Sequence, residues 1–130
     1  MLPIEALADG MMQFEGWHRD SRSWRNRNPG NLRPFLSTQP KDSENYRTFE
    51  SLADGFKALR EDLAAKLAGS HDLTLDSTLL DLLNVYAPAG DKNNPSAYAA
   101  FVCAWVSHAI TRPITPATTL RDFWGAAKQS

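Results

Sequence analysis

A chain of 130 residues, 42% hydrophobic and 22% charged, has room for one hydrophobic core and lies far from the composition of a disordered polypeptide, so a single domain over residues 1–130 is expected. Fourteen basic residues against fifteen acidic ones leave a formal charge of −1, which excludes a general electrostatic attraction to nucleic acid. No apolar run approaches the roughly 18 residues needed to cross a bilayer, and the longest, Tyr98 to Ile110, is broken by Ser107 and His108, so no membrane span is expected.

The N-terminal Met1-Leu2-Pro3-Ile4-Glu5 has no basic stretch followed by an apolar one, so the expectation is a chain made in a cytoplasm without a signal peptide. Ile4, Leu7, Ala8, Met11 and Phe14 recur at three- and four-residue steps and predict a first amphipathic helix over Pro3 to Phe14, stopping near Glu15-Gly16. The runs Asn31 to Leu36 and Asn45 to Phe49, separated by the polar Ser37 to Glu44, predict a small antiparallel hairpin. Ser51 with Asp54 three residues on resembles a capping box. It opens a second helix carrying Leu52, Phe56, Leu59, Leu63 and Leu67 until Gly69. A third helix starts near Asp76 or Ser77 and carries Leu79, Leu80, Leu83 and Val85 before Pro88 and Gly90. Asn94 as N-cap with Pro95 in the first turn opens a fourth, whose apolar face is Tyr98, Phe101, Val102, Trp105 and Val106. Thr115-Pro116 repeats the start signal for a last short helix ending around Trp124. No internal repeat stands out. The fold class is therefore mainly α (α+β), a helical domain with a small β-hairpin lobe.

The lone Cys103 can form no internal disulfide and reads as a small buried apolar group within Phe101-Val102-Cys103-Ala104-Trp105. One cysteine and the scattered His18, His71 and His108 have no metal-ligand spacing, so neither a metal nor another cofactor is expected. Charge is unevenly spread. From Trp17 to Phe35 five arginines (Arg19, Arg22, Arg25, Arg27, Arg33) meet one acid, Asp20, giving this stretch a net +4 and leaving the rest acidic. Trp17 and Trp24 lie among them. At its start, Glu15 stands between Phe14 and Trp17. A carboxylate in poorly solvated aromatic surroundings has its charged form disfavoured, so its pKa rises and it can act as a general acid near neutral pH. The competing reading is a surface carboxylate paired with Arg19. Asn26-Arg27-Asn28-Pro29-Gly30-Asn31-Leu32-Arg33 is too polar for a core segment, and its Pro29-Gly30 predicts a tight turn flanked by amides able to read sugar hydroxyls and N-acetyl groups.

Glu15-Gly16-Trp17, then Asn28-Pro29-Gly30-Asn31-Leu32-Arg33, Asp54-Gly55 and Leu59, Tyr86-Ala87-Pro88, Asn93-Asn94 and Ala97-Tyr98 together resemble the lysozyme-like domains of phage and prophage virions. More distantly they are similar to the lytic transglycosylase and goose-type lysozyme superfamily. The resemblance spans roughly residues 4 to 120. It implies a lysozyme-like fold, peptidoglycan glycan strands as substrate, and Glu15 as the catalytic acid at the end of the first helix. It also implies substrate-binding roles for Asn28, Gly30, Asn31, Arg33, Tyr86 and Tyr98. Gly30 matches the superfamily's Gly-Leu-Met-Gln cleanly, while Asn31, Leu32 and Arg33 depart from it, and Tyr86-Ala87 lacks the Asn of the Tyr-Asn-Ala-Gly motif. Tyr98 is open to either a cleft or a core placement. The implied site of action is the cell wall, reached after release or as part of a phage particle alongside virion or tail components.

Glycoside cleavage usually needs two carboxylates, but a lytic transglycosylase needs one, because the substrate's own 6-hydroxyl replaces the activated water. If the chain hydrolyses instead, Asp42 or Glu44 is the first choice of partner. Asp20, Glu50 and Asp54 are further acids with adequate structural roles. Two rival classes stay in view. Arginines interleaved with tryptophans could grip nucleic acid, the weaker reading because only one segment is basic, and the fold could serve as a non-catalytic virion module.

Overall fold

In the computed structural model, residues 2–14, 19–68, 71–86 and 95–123 are described. They form five helices: α1 (Pro3–Phe14), α2 (Arg22–Asn26), α3 (Leu52–Leu67), α4 (Leu79–Tyr86) and α5 (Pro95–Ile110). None is long and apolar enough to cross a membrane.

The boundaries follow local chemistry. Pro3 opens α1, where a missing N–H costs nothing, and the Leu2 N–H is taken by the Glu5 carboxylate at 3.1 Å. Ser51 caps α3, its hydroxyl accepting the Asp54 N–H at 3.1 Å. Thr78 caps α4 reciprocally: its hydroxyl accepts the Asp81 N–H at 3.2 Å, while the Asp81 carboxylate accepts the Thr78 N–H at 2.9 Å. The helix expected to start near Asp76 or Ser77 thus starts at Leu79. Pro95 opens α5; the expected caps and stops at Glu15-Gly16, Gly69, Asn94 and Trp124 lie outside the described residues.

α1 and α5 pack side by side, with α3 against α1 and α4 against α5. The core they enclose is built from Leu7 and Met11 of α1, Leu59 and Leu63 of α3, Leu79, Leu82 and Leu83 of α4, Tyr98, Val102 and Val106 of α5, and Ile114, Leu120 and Phe123. Cys103 joins it as expected, and burial pushes its thiol up to about 11. Two aromatics assigned to the apolar face of α5 turn outward. Phe101 is 41% and Trp105 36% exposed, and the small Ala99 and Cys103 take inner positions instead. Trp105 lies flat against α1 because Gly10 there has no side chain; a Cβ would stand 3.2 Å from the indole Cδ1. Its indole N–H donates to Asp9 at 3.0 Å.

The expected hairpin lobe does not form as paired strands. Across residues 31–49 the pairing is one antiparallel bridge, Lys41 with Arg47, and the Arg47 N–H donates to the Leu32 carbonyl at 2.9 Å. Pro34 and Pro40 have no N–H to offer a ladder, and Asn31 and Asn45 sit at φ 48° and 68°, outside strand geometry. The Asp42 carboxylate meanwhile takes the Glu44 and Tyr46 N–H groups, both at 2.9 Å, that a second strand would use.

An internal two-fold also escaped the sequence pattern. Thr74 to Asp81 and Thr115 to Asp122 share Thr74/Thr115, Thr78/Thr119, Leu79/Leu120 and Asp81/Asp122, and they pair about an isolated Thr78–Thr119 bridge. Leu79 N–H donates to Thr118 O and Leu120 N–H to Ser77 O; Leu80 N–H to Pro116 O and Arg121 N–H to Leu75 O repeat the exchange. Each copy ends in a helical start, α4 in one and residues 120–123 in the other, so each helix's first N–H groups are satisfied by the other copy.

Candidate functional site

The polar segment 26–33 is a hub. It follows α2, a one-turn helix capped by Ser21, whose hydroxyl accepts the Trp24 N–H, and ended by Arg27 at φ 51°. Asn28 next to it is fully buried. Its amide Nδ2 donates to the Leu32 carbonyl at 2.9 Å and the Arg47 carbonyl at 3.0 Å, and its Oδ1 accepts the Leu32 N–H at 2.9 Å. The side chain therefore stands where a strand residue would, joining 32 to 47, and presents nothing to a ligand; the substrate-contact role expected of it becomes a scaffolding one. Gly30 is likewise structural. A Cβ there would lie 2.7 Å from Leu59 Cδ1, so glycine lets the turn rest on α3. Asn28→Ala should cost about 3 kcal/mol, since three net bonds of about 1 kcal/mol each are lost and buried backbone groups stay unpaired. Urea unfolding checks this, together with the loss of exchange protection at the Leu32 amide.

Asp42 is a second anchor. It accepts from Asn26 Nδ2 at 2.8 Å as well as from the two backbone N–H groups, and these bonds hold its carboxyl below the usual 3.8. Because the folded value is the lower one, the stabilisation is fully present above 3.8 and is lost as pH falls through the depressed value. Wild type should therefore lose stability below pH 3.8 in a way that Asp42→Asn does not, as acid titration followed by Tyr fluorescence would show. A carboxylate so occupied is a poor base. Glu44 is engaged too, with Arg22 at 2.6 Å.

Two of the five arginines of the basic segment rest on one aromatic ring. Arg22 and Arg33 lie over Tyr46, their guanidinium carbons 4.4 and 4.1 Å from its centroid, and Arg33 also donates to the Tyr46 hydroxyl at 2.9 Å and to the Glu44 carbonyl at 3.2 Å. Arg33 lines one side of a groove of about 460 Å³ between the 32–47 segment and α3. The opposite wall carries Asp62 and Lys66. Lys66 is buried on the core-facing side of α3 and donates to Asp62 at 2.8 Å; the Tyr86 hydroxyl donates to the same carboxylate oxygen at 2.6 Å. Burial and then the Asp62 charge push the Tyr86 phenol far up, so it stays a proton-bearing donor throughout the physiological range.

The expected site residues are thus divided. Arg33 reaches the groove, buried Asn28 joins its lining residues Leu32 and Arg47, Gly30 rests on Leu59 of α3, Asn31 is half-exposed, and Tyr86 donates to Asp62. Tyr98 is 1% exposed and packs on Phe14 at 4.6 Å between centroids, a core position. Glu15 and Trp17 lie outside the described residues. Asp62, Lys66 and Arg47 were not anticipated. A lysine one turn beyond Leu63 on the apolar stripe of α3 was the available signal, since a buried lysine needs a partner. Among the described residues no group of three or more histidine, cysteine or acidic side chains could hold a metal. Comparisons with protein-family models, with curated proteins and with solved structures find no match to this chain.

Proposed function

We propose that this chain is a lysozyme-like peptidoglycan-cleaving enzyme, a lytic transglycosylase acting on the β-1,4 bond between N-acetylmuramic acid and N-acetylglucosamine with Glu15 as its one catalytic carboxylate. The observation that carries the reading is the environment at the end of α1. Phe14, the last residue of α1, packs against Tyr98 at 4.6 Å and Phe101 at 5.6 Å, so α1 ends in an aromatic cluster. The groove between α3 and the 32–47 segment supplies a concave surface on a mainly helical body, and Asn28 ties together two of its lining residues, Leu32 and Arg47.

In this mechanism the Glu15 carboxyl gives its proton to the glycosidic oxygen as the bond to the anomeric carbon breaks, releasing the 4-hydroxyl of N-acetylglucosamine. The carboxylate then takes the proton of the muramic 6-hydroxyl as that oxygen bonds to the same carbon, closing a 1,6-anhydro ring and restoring the acid. No water is consumed, and no second carboxylate is required. The occupied state of Asp42 and the Glu44–Arg22 pair favour this route over a hydrolytic one. The folding of Arg22 and Arg33 onto Tyr46 weighs against a phosphate-tracking surface. A gel zymogram with embedded sacculi tests the reading: a clearing band at the mass of the chain is expected, and an intact gel together with retardation of DNA would overturn it.

A further inference from the structure

The same groove contains a cation without an ionic partner. The Arg47 guanidinium carbon lies 4.6 Å from the Phe49 centroid and 5.7 Å from that of Phe35, and its Nε is buried with no hydrogen-bond partner. Among the described residues no carboxylate approaches it within 4.0 Å, although two acids line the groove. Both are engaged elsewhere: Asp62 accepts from Lys66 and Tyr86, and Glu61 faces Lys57 at 3.8 Å. Arg33 on the same wall adds a second positive charge, leaving the concavity short of anions. A guanidinium resting on aromatic rings keeps its in-plane N–H fork available, and that fork matches the two oxygens of a carboxylate. Phe35, 74% exposed at the rim, and Leu32 offer apolar contact to whatever bears that carboxylate.

We infer that Arg47 is the anchor of a carboxylate-binding subsite in the α3 groove, which takes the free lactyl carboxylate of N-acetylmuramic acid at glycan positions that carry no stem peptide and so distinguishes it from N-acetylglucosamine. This rests on the peptidoglycan reading for the ligand's identity, but binding does not require Glu15, so the two fail separately. The experiment is NMR titration of Glu15→Gln protein, following the backbone amide signal of the groove residue Leu32, which every variant retains, with N-acetylmuramic acid, N-acetylglucosamine and inorganic phosphate as probes. N-acetylmuramic acid is expected to shift that signal with at least tenfold higher affinity than either other probe. Arg47→Gln should abolish the difference, and Arg47→Lys, which keeps the charge but not the fork, should retain only part of it. The backbone bond from the Arg47 N–H to Leu32 is untouched by either change, so melting temperatures near wild type are expected. Equal binding of the two sugars, tighter binding of phosphate, or retention of the preference in Arg47→Gln would overturn the subsite. Preference for N-acetylmuramic acid in a protein that leaves sacculi intact would sustain it while removing the enzymatic reading.

Discussion

Replacing Gly55 by alanine should unfold the protein about 10 °C or more below wild type, a loss of about 3–5 kcal/mol from a total in the usual range of about 5–15. Helix propensity argues the other way, since alanine is favoured over glycine inside a helix by about 1 kcal/mol. The clash wins because Gly55 is buried where α3 meets the end of α2: a Cβ would collide with the Arg27 carbonyl oxygen and lie 2.9 Å from Pro29 Cδ. These are backbone and ring atoms with no rotamer to yield, so α3 and the 26–33 segment must separate. Exposed Ala53 on the same helix is the control, where Ala53→Gly should cost only about 1 kcal/mol. Thermal melts followed by circular dichroism read both. A Gly55→Ala protein as stable as wild type would mean that α3 and this segment are not in close contact.

Glu15→Gln should lower the rate of sacculus solubilisation by at least about a hundredfold, the usual scale for removing a general acid. It should leave the fold at least as stable at pH 7. The sign follows from linkage. A glutamate whose folded pKa is raised above about 4.3 is a destabilising group once pH climbs from that value through the folded one, and glutamine removes the titration. A variant melting several degrees early would instead mark Glu15 as a structural carboxylate, of the kind a pair with Arg19 would make.

The helices were legible wherever a cap and a stripe coincided: Pro3, Ser51 and Pro95 open α1, α3 and α5 as their sequence signals indicate. α2 was not, because five residues carry no period, and its existence depends on Ser21 and on Arg27 accepting a left-handed conformation. The hairpin failed through side-chain competition. Alternation in 45–49 is real, but the Asp42 carboxylate and the Asn28 amide take bonds that a ladder would need. The segment 26–33 was recognisable as unusual from its composition, yet the same composition suits ligand contact and loop construction equally well, and Asn28 turned out to serve the second. Asp62 and Lys66 meet by the four-residue spacing of α3, but Arg47 joins them in one groove only through the packing of the 32–47 segment on that helix, a tertiary fact with no local periodicity to announce it.

The mass of the muropeptides released from purified sacculi tests the enzymatic reading most directly. Wild-type protein is expected to liberate 1,6-anhydro muropeptides, lighter by one water than their hydrolytic counterparts, with Glu15→Gln releasing none and single alanine replacements at Asp42, Glu44 and Glu50 staying within about tenfold of wild type once corrected for folded fraction. Release of no soluble fragment by correctly folded wild-type protein, or release that persists in Glu15→Gln, would contradict it.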